Sequence, residues 1–592
     1  MQHHIKPVTF HQALLCGASG IITRREELNR INGFPVPDRD TGNNLAYMMH
    51  QLRQQLPQAA SFEALLVKLS ELSLMSARGS SGAIFSQYFS GFRTALAQAR
   101  EDIADALSLE GLLALFQEGY HSAYRSLQQP REGTILSAMY SFKEGFQQRL
   151  ADSQGLEAIS QTALSRLEEA VRESATVLPE QKALKAPDAG AMAFYYFAEA
   201  FLAGLQGKAQ PADQELFDIP DLPEEAAHRL GEQPVFRFCT EALLELHDEG
   251  SVTEEAKAGL TALGDSLVVS AAGKLARIHL HTNAPALAVD RMEALGRLME
   301  VKADDMRMQQ ALAQPHPGAV ALVTDSIADV PEELLGPHAY ILPLNLLAEG
   351  VSYQDKRSIS FDRVKRLAGK LSSSQMNLAE LRCFLDPVLK AYDQVLILTV
   401  SSNMSGIHAR CEEYLKEGHG TRVRLVDSRR NSGAQGLLAL HAARRLQEGA
   451  GLDAVADELE ALRSRTQIYV SLPNLKAMVA SGRLNRRIGG LLQAIGFLPL
   501  VTINQEGAGS ITGLSFSRKR SDKLLQGKVK KGRVQSYSVV HVNDKPRALK
   551  AARLMEERLG MPPEYVCGIS SIVANFSGET SYAVALIEKE EG

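Results

Sequence analysis

The spacing of hydrophobic residues changes along this chain, and the change divides it into regions of different fold class. Up to about residue 205, apolar residues recur three and four positions apart, as in a helix that buries one face. One such helix is expected after Ser61, a residue type that caps helices. Its apolar positions are Phe62, Leu65, Leu66, Leu69 and Leu72. Strand patterns are scarce here, so the sequence predicts an all-α domain over residues 1–205.

Two proline-containing stretches separate this region from the rest of the chain. Residues 206–223 are polar and rich in proline, and a second boundary lies at residues 315–318. Between these boundaries short strand patterns alternate with helical ones, which predicts a small α/β domain over residues 224–313. Its expected strands are 235–238, 266–270 and 275–280.

Beyond Gly318, strands and helices alternate in the pattern of a parallel α/β sheet. The expected strands include 319–323, 395–400 and 423–426. The third domain therefore spans residues 319–592, and the chain is predicted to be multidomain. With 592 residues and 45% hydrophobic content, it is long enough to bury three or four separate cores.

Charge and cysteine content narrow the class of protein. The net charge of -5 gives no basic footprint for nucleic acid. The five cysteines are scattered, which favours reduced thiols and a cytoplasmic location over a disulfide framework. The N-terminus lacks the apolar core of a signal peptide. The most apolar run, residues 488–503, is short and broken by glycines and a proline, so we predict no integral membrane segment.

Two carboxylates, Asp38 and Asp40, lie two residues apart in a loop that is bounded by prolines and a glycine. Like charges this close are stabilised by a cation between them, and hard oxygen ligands suit Mg²⁺. Thr41, Asn43 and Asn44 add neutral oxygens beside them. The alternative interpretation is a solvated turn, because aspartate and glycine are common in turns.

Residues 77–82, Ala-Arg-Gly-Ser-Ser-Gly, run directly into a predicted helix. Glycines let the backbone approach an anion, and the N–H groups at a helix start point towards it. Alone, this pattern is more often a helix cap. Together with the paired aspartates it predicts a site for a metal and a nucleotide. The candidate ligands in this run are Arg78, Gly79, Ser80, Ser81 and Gly82.

In the middle domain, His279 and His281 lie two residues apart on a predicted strand, so both project from the same face. With Cys239 they make a set of two imidazoles and one thiolate that suits Zn²⁺, with one position open. The alternative is two hydrogen-bonded strand histidines and a buried cysteine.

Hydroxyl side chains follow several predicted strands of the third domain. In an open α/β sheet a ligand binds outside the carboxyl ends of the strands, where hydroxyls can hydrogen-bond a carboxylate. The alternative for any one of them is a helix N-cap. The candidates for ligand binding are Ser326, Ser373, Ser405 and Gly406.

Four segments of the first domain resemble, in order, the nucleotide-site segments of the DhaL-like kinase domain, which occurs in dihydroxyacetone kinases and bacterial fatty acid kinase. The segments are residues 35–42, 77–82, 132–135 and 188–190. The resemblance implies a helical barrel that holds ATP and two Mg²⁺ at one end, with Asp38 and Asp40 as catalytic metal ligands. It adds Thr134, Asp188 and Gly190 to the ATP-binding residues.

Three positions depart from the usual pattern of that family. Arg39 and Ser76 stand where glycine is usual, and Ala191 stands where a further glycine is common. Arg39 lies between the two aspartates, where a guanidinium can clamp a phosphate or compete with the metal. Arg39 and Ser76, together with Phe576 in the third domain, motivate an alternative in which the kinase domain has decayed.

The other two domains carry resemblances of their own. Residues 236–241 and 264–269 are similar to the fatty acid kinase middle domain, whose matching cysteine and histidines bind zinc. The third domain resembles the DegV family of fatty-acid-binding proteins over roughly 270 residues. That family implies that Ser373 and Ser405 bind the fatty acid carboxylate and that Arg483 is a catalytic residue near it. Met376 replaces the usual proline, and Phe576 stands where a functional histidine is expected.

These resemblances predict a fused fatty acid kinase that converts ATP and a bound fatty acid to acyl phosphate and ADP. The expected cofactors are ATP, Mg²⁺ and Zn²⁺. The expected partners are a fatty acid, a membrane surface touched peripherally during lipid exchange, and a second copy of the chain in a homodimer. The alternatives are a lipid-binding or sensory protein with a decayed kinase domain, and a kinase for a small hydroxylated metabolite.

Overall fold

A computed structural model of the chain describes residues 4–32, 40–98, 106–151, 155–208, 234–249, 252–418, 422–473, 497–578 and 580–590. These residues form two compact units, Met1–Ala311 and Leu312–Gly592. The first unit contains the predicted all-α domain and the predicted middle domain as far as Ala311. Every helix in the described parts of the chain is too short or too polar to cross a bilayer.

Up to residue 208, the described residues of the first unit form helices around a single hydrophobic core. This confirms the predicted all-α fold of that region. The helices are α1 (Pro7–Thr23), α2 (Arg25–Ile31), α3 (Thr41–Gln55), α4 (Phe62–Ser76), α5 (Gly79–Gln98), α6 (Leu109–Arg125), α7 (Ile135–Ala151), α8 (Leu156–Val177), α9 (Pro179–Leu184) and α10 (Ala189–Leu205).

Helix α4 shows how local sequence sets these elements. The Ser61 hydroxyl accepts the N–H of Ala64 at 3.3 Å, so it satisfies one of the free donors at the helix start. Phe62, Leu65 and Leu69 are fully buried on one face of the helix. The helix predicted from its apolar spacing is therefore confirmed, including its cap.

The remainder of the first unit is a four-stranded antiparallel sheet with strand order β2-β3-β1-β4. The strands are β1 (Phe238–Leu246), β2 (Gly264–Ala272), β3 (Leu275–Thr282) and β4 (Gly296–Asp305), and the helices are α11 (Glu254–Thr261), α12 (Pro285–Glu293) and α13 (Met306–Leu312). The strand predicted over residues 235–238 is wrong in extent, since β1 begins at Phe238. The interior of β1 is buried on both faces, so its sequence lacks the alternation that marks a half-exposed strand.

Arg277 fixes this sheet against the helical layer. Its side chain is 3% exposed and donates to the carbonyl oxygens of Leu74 and Met75 at 2.9 and 2.7 Å, at the end of α4. These carbonyls have no partner within a helix that ends there, so the guanidinium satisfies them. Since residues alternate along β3, His279 and His281 lie on the same face as Arg277, towards the helices.

The second unit begins with a parallel sheet of strand order β11-β10-β5-β6, which confirms the predicted parallel α/β fold. Its strands are β5 (Val320–Asp325), β6 (Ala339–Leu342), β10 (Gln394–Thr399) and β11 (Val423–Asp427). A small antiparallel sheet contains β7 (Asn345–Ala348), β8 (Val351–Gln354) and β9 (Ser372–Ser374). The chain leaves β5 to one side for β6 and later to the other side for β10, which makes a topological switch point between β5 and β10.

A six-stranded mixed sheet completes the second unit, with order β14-β13-β12-β17-β15-β16. Its strands are β12 (Thr466–Ser471), β13 (Leu498–Ile503), β14 (Gly509–Ser515), β15 (Val534–His541), β16 (Val566–Gly568) and β17 (Tyr582–Glu588). The helices of this unit are α14 (Phe361–Arg366), α15 (Leu378–Ala391), α16 (Ile407–Leu415), α17 (Ser432–Gln447), α18 (Leu452–Arg465), α19 (Arg518–Lys528), α20 (Lys545–Leu559) and α21 (Ser571–Ser577). Hydrophobic cores lie on both faces of the sheet.

Candidate functional site

The starts of four helices, α3, α5, α7 and α10, meet at one end of the helical layer. A Cβ atom placed on Gly79, at the start of α5, would lie 3.0 Å from the side-chain nitrogen of Asn44, near the start of α3. These two helix starts are therefore close together. A Cβ atom placed on Gly190, at the start of α10, would lie 3.2 Å from Ile135 of α7 and 3.5 Å from the Ser81 hydroxyl of α5. The start of α10 is therefore close to the starts of α7 and α5. Because helix starts carry partial positive charge, their convergence favours an anion.

Asp188 and Thr134 hold two of these helix starts in place. The Asp188 carboxylate accepts the N–H of Ala191 at 2.8 Å. Burial raises the pKa of Asp188 to about 6, although backbone hydrogen bonds oppose the shift. The Thr134 hydroxyl donates to the carbonyl oxygen of Arg131 at 2.8 Å. Both residues therefore position the helix ends.

Between the starts of α3 and α5 and the antiparallel sheet lies a polar pocket of about 50 Å³. This space has room for a phosphoryl group or a few water molecules, and a nucleoside would have to lie outside it. We call it the polar pocket. Its lining residues are Asn32, Asp40, Thr41, Asn44, Arg78, Gly79, Ser80, Ser81, Cys239, Glu241, His279, His281, Lys302, Asp304, Met306 and Gln309.

Most of the residues predicted to bind ATP or metal line this pocket, including Asp40 and the run from Arg78 to Ser81. Asn43 does not line it. Its side-chain oxygen accepts a hydrogen bond from the Asn29 side-chain amide at 3.1 Å, and its backbone N–H donates to the Asn29 side-chain oxygen at 3.1 Å. Gly82 also lies outside the lining. Asp38 and Arg39 fall outside the described residues.

The sheet face of the pocket carries two rows of polar side chains, set by strand register. In one row Cys239 of β1 pairs with His281 of β3 on one side and Asp304 of β4 on the other. In the next row Glu241 pairs with His279 and with Lys302. Alternation along each strand places all six side chains on the face that lines the pocket.

The two histidines are arranged as a metal would require. Nδ1 of His279 lies 2.9 Å from the Glu241 carboxylate, and Nδ1 of His281 lies 3.4 Å from Asp265. Carboxylates only accept, so each Nδ1 carries a proton and Nε2 is the nitrogen of each ring that is available to a metal. The two Nε2 atoms face each other at 3.2 Å. One ligand atom from each histidine and the Cys239 sulfur lie within 4.8 Å of one another, which is close enough to share one cation. The sulfur itself lies 3.6 Å from Nδ1 of His279.

Glu241 joins the metal ligands to the nucleotide segment. The oxygen that faces His279 also accepts the backbone N–H of Gly79 at 2.7 Å. The Ser80 hydroxyl lies 3.1 Å from Nε2 of His279. Burial and the negative charges of Glu241, Asp304 and Asp40 raise the pKa of the Cys239 thiol. Asp40 and Cys239 line the same pocket. Two sites that the sequence presents separately therefore form one pocket.

Sequence reasoning missed Glu241, Lys302 and Asp304. Each lies two residues along its strand from a member of the other row, so the alternation of β1 and β4 was the available signal. That signal identifies a pocket residue only when the strand partners are known. The pairing of β1 with β3 and β4 joins segments about 40 and 65 residues apart, which a local pattern does not specify.

The second unit holds a cavity of about 320 Å³. It opens at the carboxyl ends of β5 and β10, the topological switch point of the parallel sheet, where ligands of open α/β sheets bind. Ile327 follows β5 there, and Val400, Ser405 and Gly406 follow β10. The volume falls at the lower end of the roughly 300–1,000 Å³ typical of small-molecule sites.

The floor of the cavity is one face of the six-stranded sheet. Val470, Val501, Ala583 and Val540 are direct cross-strand neighbours from β12, β13, β17 and β15, and all four line the cavity. Alternation therefore gives the ligand a continuous aliphatic surface. A chain of methylene groups fits such a surface.

The mouth of the cavity is polar and contains most of the predicted ligand-binding residues. Ser373, Ser405 and Gly406 line it, and a side chain on Gly406 would begin 2.5 Å from the amide nitrogen of Gln375, a residue that the sequence did not single out. Ser405 precedes the start of α16, so a helix N-terminus lies beside its hydroxyl. The cavity lining thus combines the aliphatic face of the sheet with hydroxyls and an amide beside the start of α16.

Ser326 was predicted to bind the ligand, and the structure contradicts this prediction. Its side chain is completely buried, donates to the Asp355 carboxylate at 2.7 Å and accepts the N–H of Leu344 at 3.2 Å. It lies outside the cavity lining, because these two bonds turn it into the protein interior. Met376 and Phe576 do line the cavity. Arg483 falls outside the described residues.

Three family models match the chain. A DAK2 domain covers residues 35–203, a middle domain of the fatty acid kinase type covers residues 235–312, and a domain of the DegV family covers residues 319–589. The three-part combination predicted from sequence is confirmed.

Curated relatives match over about half of this chain. Protein YloV of Bacillus subtilis strain 168 is 30% identical over 315 residues, which are 51% of this chain and 55% of that protein. An uncharacterized protein of Staphylococcus haemolyticus is 25% identical over 308 residues, again 51% and 55%. The chain thus spans little more than half the length of these relatives.

Solved structures of DegV family proteins match slightly less than half of this chain. A fatty acid binding DegV family protein from Streptococcus agalactiae is 21% identical, with a TM-score of 0.41, covering 46% of this chain and 99% of that one. A DegV family protein from Thermus thermophilus, described for its fatty acid binding, is 24% identical, with a TM-score of 0.41, covering 46% and 100%.

Proposed function

From a chain that combines a DAK2 domain, a middle domain of the fatty acid kinase type and a DegV domain, we propose a fatty acid kinase. The main support for this proposal is the cavity of the second unit, which is lined by the aliphatic face of the sheet and by the hydroxyls of Ser373 and Ser405. That arrangement suits an amphiphile with a single carboxylate. The DegV family, whose model matches residues 319–589, implies the same class of ligand.

The proposed reaction is a phosphoryl transfer from ATP. A carboxylate oxygen of the fatty acid attacks the terminal phosphorus, and the bond from that phosphorus to the β–γ bridging oxygen breaks. Acyl phosphate and ADP are the products. A fatty acid carboxylate is ionised at neutral pH, so the attack needs no general base from the protein. Positioning and charge stabilisation are the protein's contribution.

The polar pocket of the first unit supplies the groups for this role. Arg78 and the start of α5 at Ser80 and Ser81 can bind phosphate oxygens. Asp40, with Asp38, would hold Mg²⁺, which neutralises phosphate charge when bound. Cys239, His279 and His281 would hold Zn²⁺, and the facing Nε2 atoms fit a cation there.

Recognition of the carboxylate is tested by Ser405→Ala. Removing this hydroxyl leaves the carboxylate short of one donor, so we expect fatty acid affinity to fall by roughly 1 to 3 kcal/mol. Titration calorimetry on the full chain with a long-chain fatty acid measures the change. Ser402→Ala is the matched control, because the Ser402 hydroxyl donates to Asp427 at 2.6 Å and lies outside the cavity lining.

The methyl ester of the same fatty acid provides a second arm. It keeps the aliphatic chain and loses the negative charge, so the native protein should bind it much more weakly than the acid. Equal affinity for acid and ester, with no difference between the two serine variants, contradicts carboxylate recognition at this mouth.

A further inference from the structure

Lys302 is a cation of the polar pocket to which the reaction described above gives no role. It lies on β4, and its ammonium group contacts the Asp304 carboxylate two residues along the same strand. Its cross-strand partner on β1 is Glu241. The Lys302 side chain is 37% exposed and lines the pocket, so it is accessible to a ligand there. Burial lowers the pKa of Lys302 by less than the carboxylates of Asp304 and Glu241 together raise it. The net pKa is therefore above its usual value, and Lys302 is an ammonium at neutral pH.

Lys302 and Arg78 reach the pocket from opposite walls. Arg78 precedes α5 on the helical wall, where its guanidinium stacks on the Tyr47 ring at 3.6 Å from the centroid. Lys302 belongs to the sheet wall. An anion between them would therefore be contacted by a cation on each side, an arrangement that stabilises charge on a transferring phosphoryl group.

The size of the pocket determines which part of ATP reaches Lys302. About 50 Å³ accommodates a phosphoryl group, and the nucleoside has to remain outside. The phosphate chain therefore enters with its terminal group first. Because an ammonium group has three donors, Lys302 can contact Asp304 and still present two N–H groups to phosphate oxygens.

We infer that Lys302 is a further catalytic residue that binds the terminal phosphoryl group of ATP from the sheet wall, with Asp304 as the residue that positions it. This inference rests on the proposed function of the first unit as an ATP site. It assigns the middle domain a direct part in substrate binding, since β4 belongs to that domain. If Lys302 only formed an ion pair with Asp304, its role would be structural. A preference for ATP over ADP that depends on Lys302 distinguishes phosphoryl binding from this structural role.

The test compares two nucleotides on the full chain in the presence of Mg²⁺. One is an ATP analogue with nitrogen in place of the β–γ bridging oxygen, and the other is ADP. In Lys302→Met we expect affinity for the analogue to fall at least about tenfold, whereas affinity for ADP changes less than about twofold. Lys274→Met is the matched control, because Lys274 is exposed in the β2–β3 turn of the same sheet. Lys302→Arg keeps the charge and should retain most of the preference for the analogue.

The outcomes are distinguishable. If Lys302→Met weakens the analogue and ADP equally, or changes neither, the inference is overturned while the ATP site itself stands. If the native chain binds neither nucleotide, the proposed function of the first unit fails and the inference fails with it. Asp304→Asn gives an independent check, because it should lower affinity for the analogue by a smaller factor than Lys302→Met and leave ADP binding unchanged. Circular dichroism confirms that each variant is folded.

Discussion

Asp40→Asn is expected to abolish phosphoryl transfer with little effect on the fold. Asparagine keeps the shape of the side chain and removes the charge that would hold Mg²⁺ in the polar pocket. Losing electrostatic stabilisation of this kind lowers catalytic rates by about a hundred- to a thousandfold. Acyl phosphate formation by the full chain measures the loss, and Mg²⁺-dependent ATP binding should fall in the same variant.

Two controls define that result. Glu63→Gln removes an exposed carboxylate from the first turn of α4, outside the pocket lining, and should leave the rate unchanged. Fatty acid binding by the second unit should be the same in Asp40→Asn as in the native chain. Unchanged MgATP affinity and unchanged transfer in Asp40→Asn would show that the carboxylate does not hold the metal.

Cys239→Ser is expected to remove bound zinc from the chain. A serine hydroxyl is a poor replacement for a thiolate, and only two imidazoles would remain as described protein ligands. We expect about one zinc per native chain, and a loss of affinity of at least about a hundredfold in the variant. Elemental analysis of protein purified without chelator measures the ratio, and Cys383→Ser, at an exposed position in the second unit, is the matched control.

We expect the loss of zinc in Cys239→Ser to lower the stability of the fold only slightly. Cys239 and His281 already face each other across the hydrogen-bonded strands β1 and β3, so the metal does not have to bring distant segments together. We therefore expect Cys239→Ser to lose the metal and keep its fold. A native chain that contains no metal would return these residues to a structural role as a buried cysteine beside two hydrogen-bonded histidines.

Local sequence rules were sufficient where one side chain sets one element. Ser61 and the apolar residues after it predicted both the start and the buried face of α4, because capping and helical spacing act within a few residues. The position of Ser405 after β10 was predicted for a similar reason. The carboxyl ends of parallel strands meet at one edge of a sheet, so Ser405 and Gly406 reach the cavity mouth.

Side-chain direction was the first property that the sequence left open. Asn43 and Ser326 are polar residues beside true pocket residues, yet each turns away to another partner. Asn43 bonds Asn29, and Ser326 bonds Asp355. Residue type and spacing do not distinguish a side chain that faces a ligand from one that completes a buried hydrogen-bond network.

Long-range register was the second such property. The polar pocket exists because β1 pairs with both β3 and β4, which places Glu241 between His279 and Lys302. No local sequence motif identifies Glu241 or Lys302 as a pocket residue. The sequence therefore identified a nucleotide segment and a metal set, and only the fold joined them into one pocket.

Phosphorylation of a fatty acid by this chain is measured most directly as product formation by the full native chain. ATP, Mg²⁺ and a long-chain fatty acid are incubated with the protein, and hydroxylamine traps acyl phosphate as a hydroxamate for mass spectrometry. We predict hydroxamate and ADP in equal amounts, dependent on both substrates and absent with the methyl ester. ATP and fatty acid that both bind without forming hydroxamate would contradict the claim. Formation of product only in Arg39→Gly would then identify a lipid-binding or sensory protein with a decayed kinase domain.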